Sequence, residues 1–296
     1  MDFPFDPDTS LNYLLTSYKS EIKLPPVNSW SDFTPVFVIG SPRSGTTLIG
    51  NCIGNHSKIA NGEESLFLID FWRLFSDLYK GNNHQSWKPL NKFIEEEKLL
   101  GLIKDFSSTI LKSYLNKKQC GIYLDHTPWY ILLMPFIKDL FPNSVFIHVL
   151  RDGRDVVRSL SHSYSKGFLW AGKNIKERTK LWNDLVKFGY EHGRTMPKSQ
   201  YLELKYEDFV IEPEKELNSV FDLLNLIYER KCLLPLNEEH ATPSREHKTI
   251  VSLNNKTLNF SEFKRHAWEN HWNQKDKEVF LKYGKDTLKR IGYTID

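Results

Sequence analysis

The sequence predicts an α/β fold, with a mainly parallel sheet flanked by helices in a single domain. Three observations predict it. A short apolar run rich in β-branched residues at 36–39 reads as a buried strand, and further strand candidates follow at 121–124, 144–150 and 201–206. Segments with helical spacing of apolar residues separate them, and strands that alternate with helices pair in parallel through right-handed crossovers. The first run ends in a glycine-bounded loop, and in such sheets ligands lie beyond the carboxyl ends of the strands.

Taken in order, residues 1–33 carry scattered Pro, Asp and Ser with one short helical stretch at 8–20. They read as an N-terminal arm over a domain at 34–296. Val36 to Ile39 form the first strand, and Leu48, Ile49, Cys52 and Ile53 follow at helical spacing. Residues 55–63 read as turn, short strand and turn. An aromatic helix runs from Leu66 to Tyr79 with Phe67, Ile69, Phe71, Trp72, Leu74 and Phe75. Residues 81–89 form a polar loop, and 90–117 one or two amphipathic helices. Thr127-Pro128 opens a helix with proline in its first turn, where the missing donor costs nothing. That helix ends near Phe141-Pro142-Asn143. Further helices are expected within 151–163 and at 174–194, 213–226 and 274–291, while 235–260 is polar and irregular. No repeat, low-complexity segment or linker divides the chain.

The chain has 296 residues, enough for a large core, with 19 Phe, 13 Tyr and 8 Trp to fill it. Its 40 basic and 37 acidic residues leave a net charge of +3. That balance is too even to argue for nucleic acid or an anionic membrane, so any anion site must be local. Cys52, Cys120 and Cys232 make no zinc or disulfide pattern, which points to a reducing, cytoplasmic setting with Cys52 and Cys120 in the core. No signal peptide and no run of roughly 18 apolar residues is present, so a complete soluble chain starting at Met1 is expected. Nothing in the sequence sets the oligomeric state.

The loop from Gly40 to Thr47, Gly-Ser-Pro-Arg-Ser-Gly-Thr-Thr, carries the chemistry. Strand, glycine-bounded loop and helix start make a phosphate cradle, because backbone N–H groups converge there on an anion. A nucleotide-triphosphate loop needs Gly-x-x-x-x-Gly-Lys-Ser/Thr, whose Lys reaches the β- and γ-phosphates and whose hydroxyl binds Mg²⁺. Here the glycine spacing holds, but Thr46 stands in place of the Lys and the charge sits inside the loop at Arg43. The fold is thus P-loop-type without the device for a γ-phosphate and its metal. A second site follows Leu150. Arg151 at a strand end and Ser159 in the next helix converge as fork and directional donor on a second phosphate. Asp152, Arg154, Asp155 and Arg158 read as a salt-bridge network at that helix start. Two phosphate sites around one crevice suit a nucleotide with both a 5′ and a 3′ phosphate.

The pairing of Gly-Ser-Pro-Arg-Ser-Gly-Thr-Thr-Leu at 40–48 with Phe-Ile-His-Val-Leu-Arg-Asp-Gly-Arg-Asp-Val-Val-Arg-Ser at 146–159 resembles the sulfotransferases that use 3′-phosphoadenosine 5′-phosphosulfate. It is most similar to the branch that contains bacterial enzymes and the tyrosylprotein sulfotransferases. Gly62-Glu63-Glu64, Leu140-Phe141-Pro142 and Lys205-Tyr206-Glu207-Asp208-Phe209 ahead of Pro213 fit too, so the resemblance covers about 34–226. It implies transfer of a sulfuryl group to an acceptor hydroxyl. A small molecule such as a bacterial secondary metabolite is the expected acceptor, with an amine or a protein tyrosine as alternatives. Arg43 would contact the sulfuryl group, and Ser44, Gly45, Thr46 and Thr47 the 5′-phosphate. Arg151 and Ser159 would hold the 3′-phosphate. Tyr206 matches a position near the cofactor, or is a packing residue at a strand end.

Sulfuryl transfer needs an in-line nucleophile that loses its proton and positive charge on the leaving oxygen. By the resemblance Glu64 matches the base of the tyrosylprotein branch; otherwise Glu63 and Glu64 complement a helix N-terminus. Where that branch has Lys, this chain has His126, which supports the leaving oxygen if protonated or acts as base itself. Ser252 and Trp268 match a Ser and a Trp that cover the cofactor, with Ala267 in place of a Lys and Arg265 the nearest cation. Trp72, Trp87, Trp129 and Trp170 line an acceptor pocket or pack in the core. No metal is expected, since Arg43, the loop donors and His126 meet the charge. Two other classes fit less of the sequence: a nucleotide kinase or NTPase using Asp125 for Mg²⁺, and a non-catalytic nucleotide-binding module.

Overall fold

Residues 33–80, 90–234 and 266–295 are described in the computed structural model. At the centre lie five parallel strands: β1 (Thr34–Gly40), β2 (Ile59–Asn61), β3 (Ile122–Asp125), β4 (Val145–Leu150) and β5 (Tyr201–Lys205). Their order is β2-β3-β1-β4-β5. The helices are α1 (Thr46–Gly54), α2 (Phe67–Arg73), α3 (Glu96–Lys118), α4 (Met134–Leu140), α5 (Gly153–Ser165), α6 (Ile175–Gly193), α7 (Tyr206–Ile211), α8 (Pro213–Leu223) and α9 (Gln274–Arg290).

Two-sided burial explains the long buried runs of β1 and β4, while the edge strand β5 carries Glu203 and Lys205 and is only partly buried. Side chains alternate across the sheet. Phe37 and Ile39 of β1 join a core with Tyr123, Phe146, Leu68, Trp72, Ile103 and Phe136. Val36 and Val38 join the opposite one with Ile147, Ile49, Cys52, Phe209, Leu217 and Phe221. A third cluster ties α5, α6 and α9 around Trp182 and Phe280, whose ring centroids lie 5.6 Å apart. The result is a three-layer α/β domain, as the sequence predicts.

The strand order decides where the site lies. After β1 the chain turns towards β3 and β2; after β4 it turns the other way, towards β5. The switch point between β1 and β4 opens a crevice at their carboxyl ends. The Gly40–Thr47 loop and Arg151 leave those two ends.

Several expectations are refined. The aromatic helix starts at Phe67 and changes at Leu74–Tyr79 into a π-helical segment. The Thr127-Pro128 helix begins as a 3-10 turn at Pro128–Leu133 before α4. Cys120 lies at the edge of the core: it is half-buried and packs against the larger cluster, with its Sγ towards the Ser57 carbonyl at 3.7 Å. Cys52 is buried as expected. The arm at 1–32, the 81–89 loop, Trp87, Ser252 and Arg265 lie outside the described residues. No helix among the described residues is long and apolar enough to cross a membrane.

Candidate active site

Ser44 N–H bonds the Ser41 carbonyl at 3.0 Å and closes the turn after β1. Arg43 and Gly45 then adopt positive φ, 74° and 102°. Arg43 is a non-glycine residue held in a sparsely populated region, which marks strain at a site. Gly45 precedes α1 without any side-chain cap, so the first N–H groups of the helix are left for an anion. Glycine is required there on a second count: a Cβ would stand 2.4 Å from the Tyr206 ring. Ser44 is fully buried, and its Oγ has no hydrogen-bond partner among the described residues.

Arg43 and the β4 end meet directly. Arg43 Nε donates to Ser159 Oγ at 3.0 Å, and Arg151 Nη1 donates to the Arg43 carbonyl at 3.1 Å. The Arg151 guanidinium lies 4.0 Å over the centre of the Tyr206 ring. Tyr206 is therefore both a packing residue and a wall of the site. A cavity of about 600 Å³ opens here, lined by Arg43, Arg151, Arg158, Ser159 and Tyr206 with Asp155, His162 and His271. Arg158 was expected in a salt-bridge network; instead it lines this cavity, with its Nε buried and unbonded. The network at the helix start is Asp152 with Arg154, paired through Nε at 3.0 Å and Nη2 at 2.8 Å. Asp155 has another duty, accepting the Trp268 N–H at 3.0 Å. Burial raises the Asp155 pKa, partly opposed by Arg151.

At the other side of the loop, Thr47 Oγ1 donates to Glu64 Oε1 at 3.1 Å. Removal from water pushes the Glu64 pKa up to about 7; the Thr47 bond and Arg43 pull it down, Asp125 and Glu63 push it up. The Glu64 side chain keeps 37% of its surface open, enough for an acceptor to reach. His126 is fully buried, with Nδ1 3.9 Å from Glu64 Oε1. Gly50 of α1 makes room for it, since a Cβ there would stand 2.5 Å from the His126 side chain.

A buried network shapes the turn that carries Glu64. Asp125 Oδ2 accepts from Ser65 Oγ at 2.5 Å and Tyr123 OH at 3.0 Å, and Oδ1 accepts the Thr127 N–H at 2.8 Å. Tyr130 OH contacts Ser65 Oγ at 3.1 Å and takes the Leu68 N–H at 3.2 Å, near the start of α2. Glu63 and Leu66 in this turn have φ of 58° and 60°. Such strain persists only where neighbours over-determine it. Asp125 thus has both oxygens engaged, Oδ2 by Ser65 of the Glu64 turn and by Tyr123, Oδ1 by the Thr127 N–H, which argues against the Mg²⁺ role of a kinase. Glu63 and Glu64 precede the helix, and Glu64 faces Thr47 rather than capping it.

Trp268 is buried between Arg154, 4.3 Å from its ring centre, and Lys277 at 5.3 Å. Trp72 and Trp129 are core residues, and Trp170 packs edge-on to Trp129 at 5.4 Å. Arg158 and Asp125 are the residues that sequence reasoning assigned elsewhere. The spacing of Asp155, Arg158, Ser159 and His162 on one helix stripe is the signal that finds Arg158.

Residues 35–230 match the Sulfotransferase family. The chain is 26% identical over 233 residues to protein-tyrosine sulfotransferase A of Caenorhabditis elegans, covering 77% of this chain and 58% of that one. It is 24% identical over 202 residues to protein-tyrosine sulfotransferase 2 of Gallus gallus, covering 67% and 53%. The chain thus spans little more than half the length of these relatives. The solved sulfotransferase domain from the curacin biosynthetic pathway superimposes with a TM-score of 0.55 at 18% identity, over 88% of this chain and 98% of that chain. The sulfotransferase domain from the Synechococcus PCC 7002 olefin synthase gives 0.54 at 17%, over 90% and 98%. At such identities the structures speak for the fold, and the family match over most of the length speaks for descent: the chain belongs to the sulfotransferase family.

Proposed function

We propose that this protein transfers a sulfuryl group from 3′-phosphoadenosine 5′-phosphosulfate to the hydroxyl of a small-molecule acceptor. One observation carries the reading: the helix-start cradle and the Arg151–Ser159 corner share a wall, made by Arg43. Two touching anion subsites match phosphates at both ends of one ribose. The uncapped α1 start, the buried unbonded Ser44 Oγ and the Arg158 Nε in the cavity wall fit such a group.

Ser44, Gly45, Thr46 and Thr47 are assigned to the 5′-phosphate; Arg151, Ser159 and Arg158 to the 3′-phosphate. Tyr206 shelves both. By the family resemblance Ser252, outside the described residues, is also assigned to the cofactor. The cosubstrate supplies the sulfuryl group and a phosphate leaving group. Arg43, turned from Ser159, neutralises charge at the sulfuryl group. Glu64 takes the acceptor proton; a pKa of about 7 suits a base at neutral pH. Thr47 orients its carboxylate. His126 is fully buried while the Glu64 side chain is partly open, so the base role goes to Glu64, with His126 as its neighbour at 3.9 Å. The unbridged thiols of Cys52, Cys120 and Cys232 support a cytoplasmic setting. The names of the relatives make a protein tyrosine the second reading.

Calorimetric binding of adenosine 3′,5′-bisphosphate, set against ATP with Mg²⁺, tests the reading. Bisphosphate is expected to bind preferentially, and Arg151→Ala to weaken it by about 2 kcal/mol as a charge-assisted contact is lost. Preference for ATP with Mg²⁺ and indifference to Arg151 would overturn it.

A further inference from the structure

Beyond Glu64 the surface turns apolar. Leu66, two residues on, is 38% exposed. Phe67 and Phe71 follow on α2, edge-to-face with centroids 5.7 Å apart, and Phe71 meets Phe106 of α3 edge-to-face at 5.5 Å. Leu102, Phe106 and Ile110 recur every fourth residue and so share one stripe of α3, about 12 Å long at the helical rise. They are 55%, 59% and 38% exposed. The core face of α3 is a separate row, so these side chains are not needed to hold the helix down. Contiguous exposed apolar surface of this kind marks a binding site. No residue of the stripe is charged, and the nearby Asp70 and Arg73 pair with each other at 3.2 Å. The π-helical segment that continues α2 is a feature that recurs at functional sites.

We propose that this platform receives the apolar part of the acceptor, so that the preferred substrates are hydroxyls carried on an extended hydrocarbon chain. The inference rests on Glu64 as the base. The platform adjoins that carboxylate through the Glu64–Ser65–Leu66 turn. A molecule whose hydroxyl sits at Glu64 lays its remaining atoms on the neighbouring surface. A hydrocarbon chain gains by leaving water along Leu102, Phe106 and Ile110, while the exposed Lys98 and Asp105 stand at the end and side of the stripe.

The test compares sulfuryl transfer to ethanol, hexanol and decanol in the wild type, Leu102→Ser and Phe106→Ser, with adenosine bisphosphate affinity and oligomeric state measured for each. Wild-type kcat/KM is expected to rise about tenfold or more from ethanol to decanol. Each serine variant is expected to collapse the decanol-to-ethanol ratio while bisphosphate affinity stays unchanged, which also certifies the fold. A flat alcohol profile in an enzyme that binds bisphosphate and transfers sulfuryl would overturn the platform and leave the reaction standing. Absence of both bisphosphate binding and transfer would overturn the reaction and the platform together. Serine variants that change oligomeric state but keep the alcohol profile would assign the stripe to a second copy of the chain and overturn the proposal.

Discussion

Arg43 Nε donates to Ser159 Oγ at 3.0 Å, joining two residues 116 positions apart in the chain. Both groups are wanted by an anion, so the bond ties the two phosphate subsites into one unit. Ser159→Ala is expected to weaken adenosine 3′,5′-bisphosphate by about 1–1.5 kcal/mol, and Arg43→Ala by about 1.5–3 kcal/mol. The double variant should lose less than the sum, because the partners share the ligand and each other. Calorimetry on the four proteins measures this; strict additivity would mean that the bond has no bearing on binding.

Arg158 lines the same cavity with a buried, unbonded Nε. Arg158→Gln is expected to lower the affinity for adenosine 3′,5′-bisphosphate about tenfold or more and to leave AMP nearly unaffected, as loss of one charge-assisted contact to the 3′-phosphate requires. The ratio of the two dissociation constants is the readout. An unchanged ratio would remove Arg158 from the 3′ subsite.

Glu64 couples activity to stability with opposite signs. Its pKa of about 7 lies above the ordinary 4.5, so the folded state holds a proton that the unfolded state has released. Stability therefore falls as pH climbs through that window and levels off above it. Solvent at the open side of the carboxylate limits the size of the effect. Glu64→Gln is expected to melt above the wild type at pH 8 and with it at pH 4, while kcat drops about a hundredfold or more. The acidic limb of the wild-type kcat/KM profile should lie near 7 and vanish in the variant. Thermal melts and pH–rate profiles decide both points.

Asp125 holds the Glu64 turn through Ser65, and Tyr123 and Thr127 fix the carboxylate in place. Asp125→Asn turns one acceptor into a donor facing donors, and is expected to destabilise the fold by about 1–3 kcal/mol. It should also lower kcat about tenfold while leaving bisphosphate affinity intact, since no bond of Asp125 reaches Arg43, Arg151 or Ser159. Denaturant unfolding, calorimetry and turnover separate these effects. Equal loss of affinity and kcat would point to general unfolding instead of a displaced base.

Much of this was legible in the residues because the signals are short-range. The Val36–Ile39 run, the glycines at 40 and 45 and the spacing of Leu48, Ile49, Cys52 and Ile53 act over a few residues each, and they yield strand, loop and helix. Arg151 follows a strand end for the same reason, so its place at the crevice was readable before any contact was known. The resemblance to a known family added roles to those positions.

Arg158, Asp125 and Tyr206 were not legible in this way. A charge at a helix start pairs locally or faces a cavity according to the rotation of the helix, and packing against α6 and α9 sets that rotation for α5. Asp125 meets Ser65 because β3 inserts between β1 and β2, so the strand order departs from the chain order. Tyr206 covers Gly45 and supports Arg151 because β5 and β1 flank the same strand, β4. By itself the sequence determined the elements and the chemistry available at their ends. Tertiary structure alone decided which donors share a cavity and which carboxylate is lifted to about pKa 7, because burial of both sheet faces sets helix phase and desolvation over distances that local spacing does not reach.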